Sequence, residues 1–348
     1  MRKRIIIMAL VTIFSVFVLG VIRFMTHETS QSGFFRSISE SFVSNSRYVD
    51  LDMHNCYIAG LTDDQIYLGS YSYRSSLIVT DYNLKDTRVL KLKAKKGYRF
   101  AWQASTLCVN YPDIYATENI SPAILKGSFP LLEMEMELNS VASSISKFTP
   151  IGENGFVFRS FDTLLGVNVL SLAERQAEIV TVKLNSETKN RFSDDGMLLY
   201  SARNDQVIYL YYYRNRFLRF DNILNPISEG RTIDTNTVAK IKVDTIHSEK
   251  RITFSAPPRF VNKKSCVYDN YLFVNSNILA DNEKNIDLDS RSVIDVYDLT
   301  ENTYRFSFYV PSFHGDLLTD FKIYGDKLAV VYNHFIGIYD LNIDSPLR

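Results

Sequence analysis

One short grammar recurs along this chain: a turn carrying Asp or Asn, a strand of apolar residues, a second turn, and a strand closing on an aromatic or apolar residue beside Asp or Leu. Short runs rich in β-branched and aromatic residues, punctuated by turn formers, read as strands. Copies run from Asp63-Asp64 through Ile66 and Leu68 to Asp81-Tyr82-Asn83-Leu84, and from Asn154-Gly155 through Phe156 and Phe158 to Val169-Leu170-Ser171-Leu172. Two more run from Asn204-Asp205 through Ile208 and Leu210 to Arg219-Phe220-Asp221, and from Asp269-Asn270 through Leu272 to Val296-Tyr297-Asp298-Leu299. The last runs from Gly325-Asp326 through Leu328 and Val330 to Ile338-Tyr339-Asp340-Leu341.

The closing positions are 82, 170, 220, 297 and 339, at intervals of 88, 50, 77 and 42 residues. The 88-residue interval is twice 44 and predicts a sixth, diverged unit with Thr106–Asn110 and Ala123–Lys126 as central strands. Insertions at Asn225–Thr237 and Asp281–Ser290 account for the 77-residue interval. Units of about 50 residues have the period of propeller blades. The chain is therefore expected to be all-β, a six-bladed β-propeller, preceded by a single N-terminal transmembrane helix. A pair of β-sandwiches is the competing architecture, because strand spacing alone does not separate the two.

Ring closure sharpens the expectation. The final unit holds three strands, Phe321–Tyr324, Lys327–Tyr332 and Phe335–Leu341, and Tyr48–Met53 is the upstream segment suited to supply the fourth. That pairing places Val49 and Leu51 beside Ile336 and Ile338 and removes free sheet edges.

Arg2, Lys3 and Arg4 precede Ile5–Ile22, eighteen positions without a charge. Such a run spans a bilayer, and cations before it stay on the cytoplasmic side. A cleaved signal peptide has the same charged start, but no small-x-small site stands near Thr26. The divisions expected are 1–25 as anchor or signal peptide, 26–46 as a Ser-rich tether, 47–341 as propeller and 342–348 as tail. The expected address is the inner membrane, single-pass through residues 5–25, with the C-terminal domain in the periplasm, or exported if the N-terminus is cleaved.

With 39 Lys+Arg against 39 Asp+Glu, the chain lacks the basic excess of a nucleic-acid binder. Its 22 Tyr and 23 Phe suffice for a large core. Three cysteines, Cys56, Cys108 and Cys266, are too few and scattered for a disulfide framework or a Cys-x-x-Cys metal site.

Several longer strings resemble a family of uncharacterised propeller proteins from Bacteroidetes, with the six-bladed architecture of TolB-like and NHL-like domains. They are Ser193-Asp194-Asp195-Gly196-Met197-Leu198-Leu199-Tyr200, Ile208-Tyr209-Leu210-Tyr211-Tyr212-Tyr213-Arg214-Asn215, Thr232-Ile233-Asp234-Thr235, and Ser255–Ser265. Ser292–Leu299 and Ser307-Phe308-Tyr309 extend the likeness, which covers roughly residues 55–341. The resemblance implies a membrane-tethered or exported propeller and brings no assigned reaction.

Candidate chemistry is sparse. The five histidines form no His-x-His or His-Glu-x-x-His spacing, so no metal site and no cofactor are expected from them. His314, followed by Gly315 and Asp316, pairs an imidazole with a carboxylate as a general base would, or is an exposed loop residue. Asp281, Asn282, Asn285, Asp287 and Asp289 offer oxygen ligands but lack the glycine of an EF-type loop, which favours a solvated loop. Tyr209, Tyr211 and Tyr213 share a strand face, followed by Arg214 and Arg216: either an aromatic, cationic platform or rings packed between blades. Ser255-Ala256-Pro257-Pro258-Arg259 is a stiff loop, with Asn262, Lys263 and Lys264 adding donors. The run Lys91, Lys93, Lys95, Lys96 and Arg99 reads as an exposed outer strand. The expected ligand-binding set is Arg214, Arg216, Asp194, Asp234, Arg259, Lys263 and His314. The expected function is a binding or scaffold module for an envelope protein or small ligand. The alternative is a glycan- or peptide-processing hydrolase or lyase using the same channel.

Overall fold

In a computed structural model of the chain, the residues described are 14–15, 32–119, 122–139, 144–153, 155–174, 177–184, 192–246, 251–284 and 290–343. Most of the apolar run 5–22 lies outside them, and no helix among the described residues is long and apolar enough to cross a membrane.

The central strands are buried along nearly their whole length, as in Gln65–Ser70 and Gln206–Tyr211. A strand with both faces covered needs apolar residues at successive positions, and its period-two side chains serve two different neighbours. Val207, Tyr209 and Tyr211 pack toward one adjacent sheet while Ile208 and Leu210 pack toward the other.

Among the described residues the strands form six antiparallel blades. In order along each sheet, blade 1 is Cys56–Leu61, Gln65–Ser70, Ser76–Asp81 and Arg88–Lys91. Blade 2 is Ser105–Asn110, Asp113–Glu118, Ala123–Ser128 and Glu133–Asn139, with Lys93–Ala94 added in parallel. Blade 3 is Lys147–Ile151, Gly155–Asp162, Val167–Glu174 and Ala177–Lys183. Blade 4 is Gly196–Ser201, Gln206–Tyr211, Phe217–Asp221 and Pro226–Gly230. Blade 5 is Asn262–Tyr268, Tyr271–Ser276, Arg291–Asp298 and Thr303–Pro311. Blade 6 is Asp320–Tyr324, Lys327–Tyr332 and Phe335–Leu341, with Val43–Asp50 outermost.

Six apolar layers among the described residues each straddle two successive blades, including one between blades 6 and 1. An open stack of six sheets would have five such layers, so the sixth makes the stack a ring. The fold is a six-bladed β-propeller, and a pair of sandwiches has no place for these interfaces. The first strands of the blades surround the axis, with neighbours in contact from blade 3 through 4, 5, 6 and 1 to blade 2. Approach there is close: a Cβ on Gly60 of blade 1 would overlap the Val109 carbonyl of blade 2.

The ring is closed by the two ends of the chain. Val49 pairs with Ile336 and Tyr48 with Gly337, and the Leu51 amide donates to the His334 carbonyl at 2.9 Å. The strand starts at Val43 rather than Tyr48, because Ser44, Asn45 and Ser46 lie on an exposed outer edge that needs no apolar residues. The Tyr339 hydroxyl meets those of Tyr48 and Tyr332 at 2.7 and 2.6 Å across the seam.

Three expected details change. In the diverged unit, Ser105–Asn110 is the innermost strand, and the central pair is Asp113–Glu118 with Ala123–Ser128. Within Asn225–Thr237, Pro226–Gly230 is the regular outer strand of blade 4; the extra chain follows it and includes the hairpin Val243–Ile246 with Arg251–Phe254. The lysine run divides between blades: Lys91 ends the outer strand of blade 1, Lys93 begins the added strand of blade 2, and buried Leu92 pins the crossing.

The span 26–46, expected as a tether, is docked from Ser32 onward. Arg36 is 4% exposed and forms 2.7 and 3.0 Å hydrogen bonds to the two Asp295 oxygens, one of 2.9 Å to the Ile278 carbonyl, and an ion pair with Glu283. Phe34 and Phe42 are buried on either side of it. Asp281 accepts from the Ser32 and Gly33 amides, and Asn282 bonds both ways with the Arg36 backbone. These described members of the proposed oxygen cluster thus hold a strap; Asn285, Asp287 and Asp289 lie outside the described residues. The serines around Phe34, Arg36 and Phe42 hid the segment's anchors from a composition-based reading.

Replacing Arg36 by Met would leave Asp295 and Glu283 buried without their cation, a loss of about 3–5 kcal/mol. Urea unfolding of Arg36→Met should show that loss; a change under about 1 kcal/mol, as for surface substitutions, would mean the strap adds little to the propeller.

Candidate functional site at the channel mouth

In each blade the segment entering the first strand and the turn between the second and third strands lie at the same end of the sheet. That end therefore gathers residues 192–195, 212–216, 231–246, 251–261, 277–284 and 312–319. The backbone ties them together: the Tyr212 amide donates to Asp195, Val261 to Tyr212, Asn277 to Val261, and Asn215 to Asn236. All seven candidate residues lie at this end.

They do not form one cluster. Arg214 is fully buried, its NH2 is 3.2 Å from Asp194, and its guanidinium sits 3.8 Å above the Tyr211 ring centroid. The Asp194 carbonyl accepts from the Tyr209 hydroxyl at 2.6 Å. The Asp234 carboxylate accepts from the Thr232 hydroxyl at 2.6 Å and the Asn236 amide at 2.8 Å, and its carbonyl accepts from Asn215. Asp194, Arg214 and Asp234 thus brace one another's loops through Asn215. Asn262 fixes the strand behind them, donating to the Tyr211 and Arg214 carbonyls at 2.9 and 3.2 Å.

Arg259, on the segment entering blade 5, and Lys263, near the start of its first strand, are exposed nearby. Lys263 is enclosed enough that desolvation lowers its ammonium below the usual lysine range. Arg216 pairs with Glu229 and lines a groove of about 300 Å³ at the outer side of blade 4. His314 belongs to a separate aromatic group on blade 6, its ring stacked 5.2 Å from Phe335 and Phe313 stacked 3.8 Å from Tyr48. The tyrosines offer no open platform: Tyr209 and Tyr211 fill the layer between blades 3 and 4, and Tyr213 is buried against Phe260. Among the described residues no group of three or more His, Cys, Asp or Glu is placed to hold a metal ion.

The sequence reading missed a cavity of about 240 Å³, lined by first-strand residues of blades 1 and 2 together with Ser146, Lys147, Phe148 and Lys322. Lys147 donates to the Tyr212 hydroxyl at 2.9 Å. Burial pulls its ammonium down, but Tyr212 and Asp195 outweigh that and hold it above the ordinary lysine value. A usable signal existed in Phe321-Lys322-Ile323, a lysine between two residues that become core.

No protein-family model matches the chain, and no curated protein matches it. Among solved structures it is similar to regucalcin, described as a calcium-binding protein, from Agrobacterium tumefaciens. That match has 10% identity, covers 87% of this chain and 95% of that one, and has a TM-score of 0.52. It is also similar to BamB from Moraxella catarrhalis, with 10% identity, 86% and 97% coverage and a TM-score of 0.43. A third is YCF48 bound to D1 peptide, with 6% identity, 88% and 98% coverage and a TM-score of 0.49. At such identities the regucalcin match speaks to fold alone.

The cysteines give the inner strands a pH signature. Burial pushes the Cys56 thiol up to about 11, the Cys266 thiol up to about 12, and Cys108 upward as well. A thiol with a raised folded value holds its proton more tightly when folded. Its stabilising share is whole below the ordinary value of 9.0 and is lost as pH rises toward 11 or 12. The urea midpoint should therefore fall between pH 9 and 11, and less steeply for Cys56→Ala/Cys266→Ala; identical slopes would remove the thiols from the account.

Proposed function

We propose that this chain is a membrane-tethered binding or scaffold propeller of the cell envelope, recognising a protein or small ligand through the loop end of its channel. The observation that carries this reading is the division of labour among the polar residues there. Asp194, Arg214 and Asp234 are consumed in bracing loops, while Arg259 and Lys263 stand exposed on the frame they stiffen. Holding recognition groups on a rigid support lowers the ordering cost of binding. The same buried bracing occupies the carboxylates that a hydrolase or lyase would need, so no observation favours the catalytic alternative.

The address rests on Arg2, Lys3 and Arg4 before the uncharged run Ile5–Ile22, and on the resemblance to Bacteroidetes propellers. Under this reading the membrane also sets an orientation. Ser32 meets the propeller at the loop end, where its carbonyl accepts from the Thr235 hydroxyl at 2.7 Å and its amide donates to Asp281 at 2.6 Å. A connection through residues 26–31 reaches at most about 20 Å, so the channel mouth would lie close to the lipid surface.

A photo-reactive residue placed at Arg259 in the cell should give a discrete adduct, and one at Asn222 on the opposite end should not. Adducts from neither position, or equally from both, would overturn the loop end as the recognition surface.

A further inference from the structure

We infer that the 240 Å³ cavity inside the channel binds a small anion bearing carboxylate or phosphate groups, held between Lys147 and Lys322. This deepens the reading of the channel as a binding site and rests on it.

Blades 3 and 6 stand opposite each other in a ring of six, so Lys147 and Lys322 approach one cavity from opposite walls. No Asp or Glu lines it. Tyr57, whose hydroxyl accepts from the Leu107 amide at 2.7 Å, keeps its own proton to donate, and the Thr106–Thr117 hydroxyl pair, bonded at 2.9 Å, leaves one more.

The neighbouring carboxylates are engaged elsewhere. Asp195 pairs with Arg159 at 3.2 Å, and Asp320 accepts from the Ile58 amide at 2.9 Å. Lys322 makes no ion pair among the described residues. Arg159 adds a third cation behind the wall, donating to the Ser146 hydroxyl at 2.8 Å, and its buried Nε has no hydrogen-bond partner. Lys147, Lys322 and Arg159 share the nearby countercharge of Asp195, and an anion between the two lysines offsets the excess of like charge in this partly desolvated space. The cavity holds the volume of about eight water molecules, which limits the ligand to a small one.

The other end of the channel has the opposite character. The larger cavity there, of about 660 Å³, is lined by Asp63 and Asp64 with Arg88, so carboxylates outnumber cations in it.

Cys108 lines the cavity and supplies a native reporter. The full-length chain in detergent micelles is titrated with inorganic phosphate and with succinate, by calorimetry and by the rate at which iodoacetamide alkylates Cys108. Saturable uptake of either anion is expected, with Cys108 alkylation slowed about fivefold or more at saturation. Lys322→Met should weaken uptake about tenfold or more, while Lys91→Met, exposed on the outer strand of blade 1, changes it less than about twofold. Should Lys322→Met fail to fold, Lys322→Gln and the wild-type protection of Cys108 decide. Absence of saturable uptake, uptake without Cys108 protection, or uptake unchanged by the Lys322 variant that folds would each overturn the inference. Loop-end adducts at Arg259 that persist alongside such a failure would leave the binding-module reading standing.

Discussion

The pairing of Val43–Asp50 with Phe335–Leu341 is the constraint on which the rest of the structure depends. Each blade is covered on both faces by its neighbours, so no blade is stable alone and no pair of them terminates cleanly. Opening the seam would expose the layer between blades 6 and 1, where Ile58, Ile66 and Leu68 meet Val331, Ile336 and Ile338. It would also release the geometry of the channel, because an opposed pair such as Lys147 and Lys322 exists only while the ring is shut. Local hydrogen bonding between the two chain ends thus fixes distances on the far side of the molecule.

Much of the fold was legible because its signals are local and repeated. Turn residues at Asp63-Asp64, Asn204-Asp205, Asp269-Asn270 and Gly325-Asp326 all precede second strands, and the aromatic-Asp-Leu closures at Tyr297 and Tyr339 end third strands. Val49 beside Ile336 follows from counting strands in the last unit. Two of the misjudged segments lack apolar periodicity, the start of the closing strand at Ser44–Ser46 and the strap anchored by Arg36, while Ser105–Asn110 alternates cleanly and was misplaced only in its order within the blade, which periodicity does not encode. An arginine among serines reads as solvated surface until its partners, Glu283 and Asp295, are seen to arrive from the other end of the chain.

The site was legible in part, for a related reason. Charged residues in short loop motifs stand out in a sequence, and Asp194, Arg214 and Asp234 were chosen that way; yet polar groups in propeller loops must also satisfy the backbone they interrupt. Buried, they bond to one another and to main-chain carbonyls, as Asn215 and Asn262 do. The cavity lysines gave the reverse problem. Lys147 and Lys322 lie in separate repeats, each a single cation in an unremarkable strand, and only the closure of the ring makes them neighbours of one space.

These features combine into a polarity along the axis. The loop end carries Lys147, Lys263 and Lys322 around the mouth and cavity, whereas the opposite end presents Asp63 and Asp64 beside Tyr67 and Tyr111. The chain as a whole is electrically balanced, so its potential is a matter of arrangement rather than of net charge. The strap places Ser32 at the loop end as well.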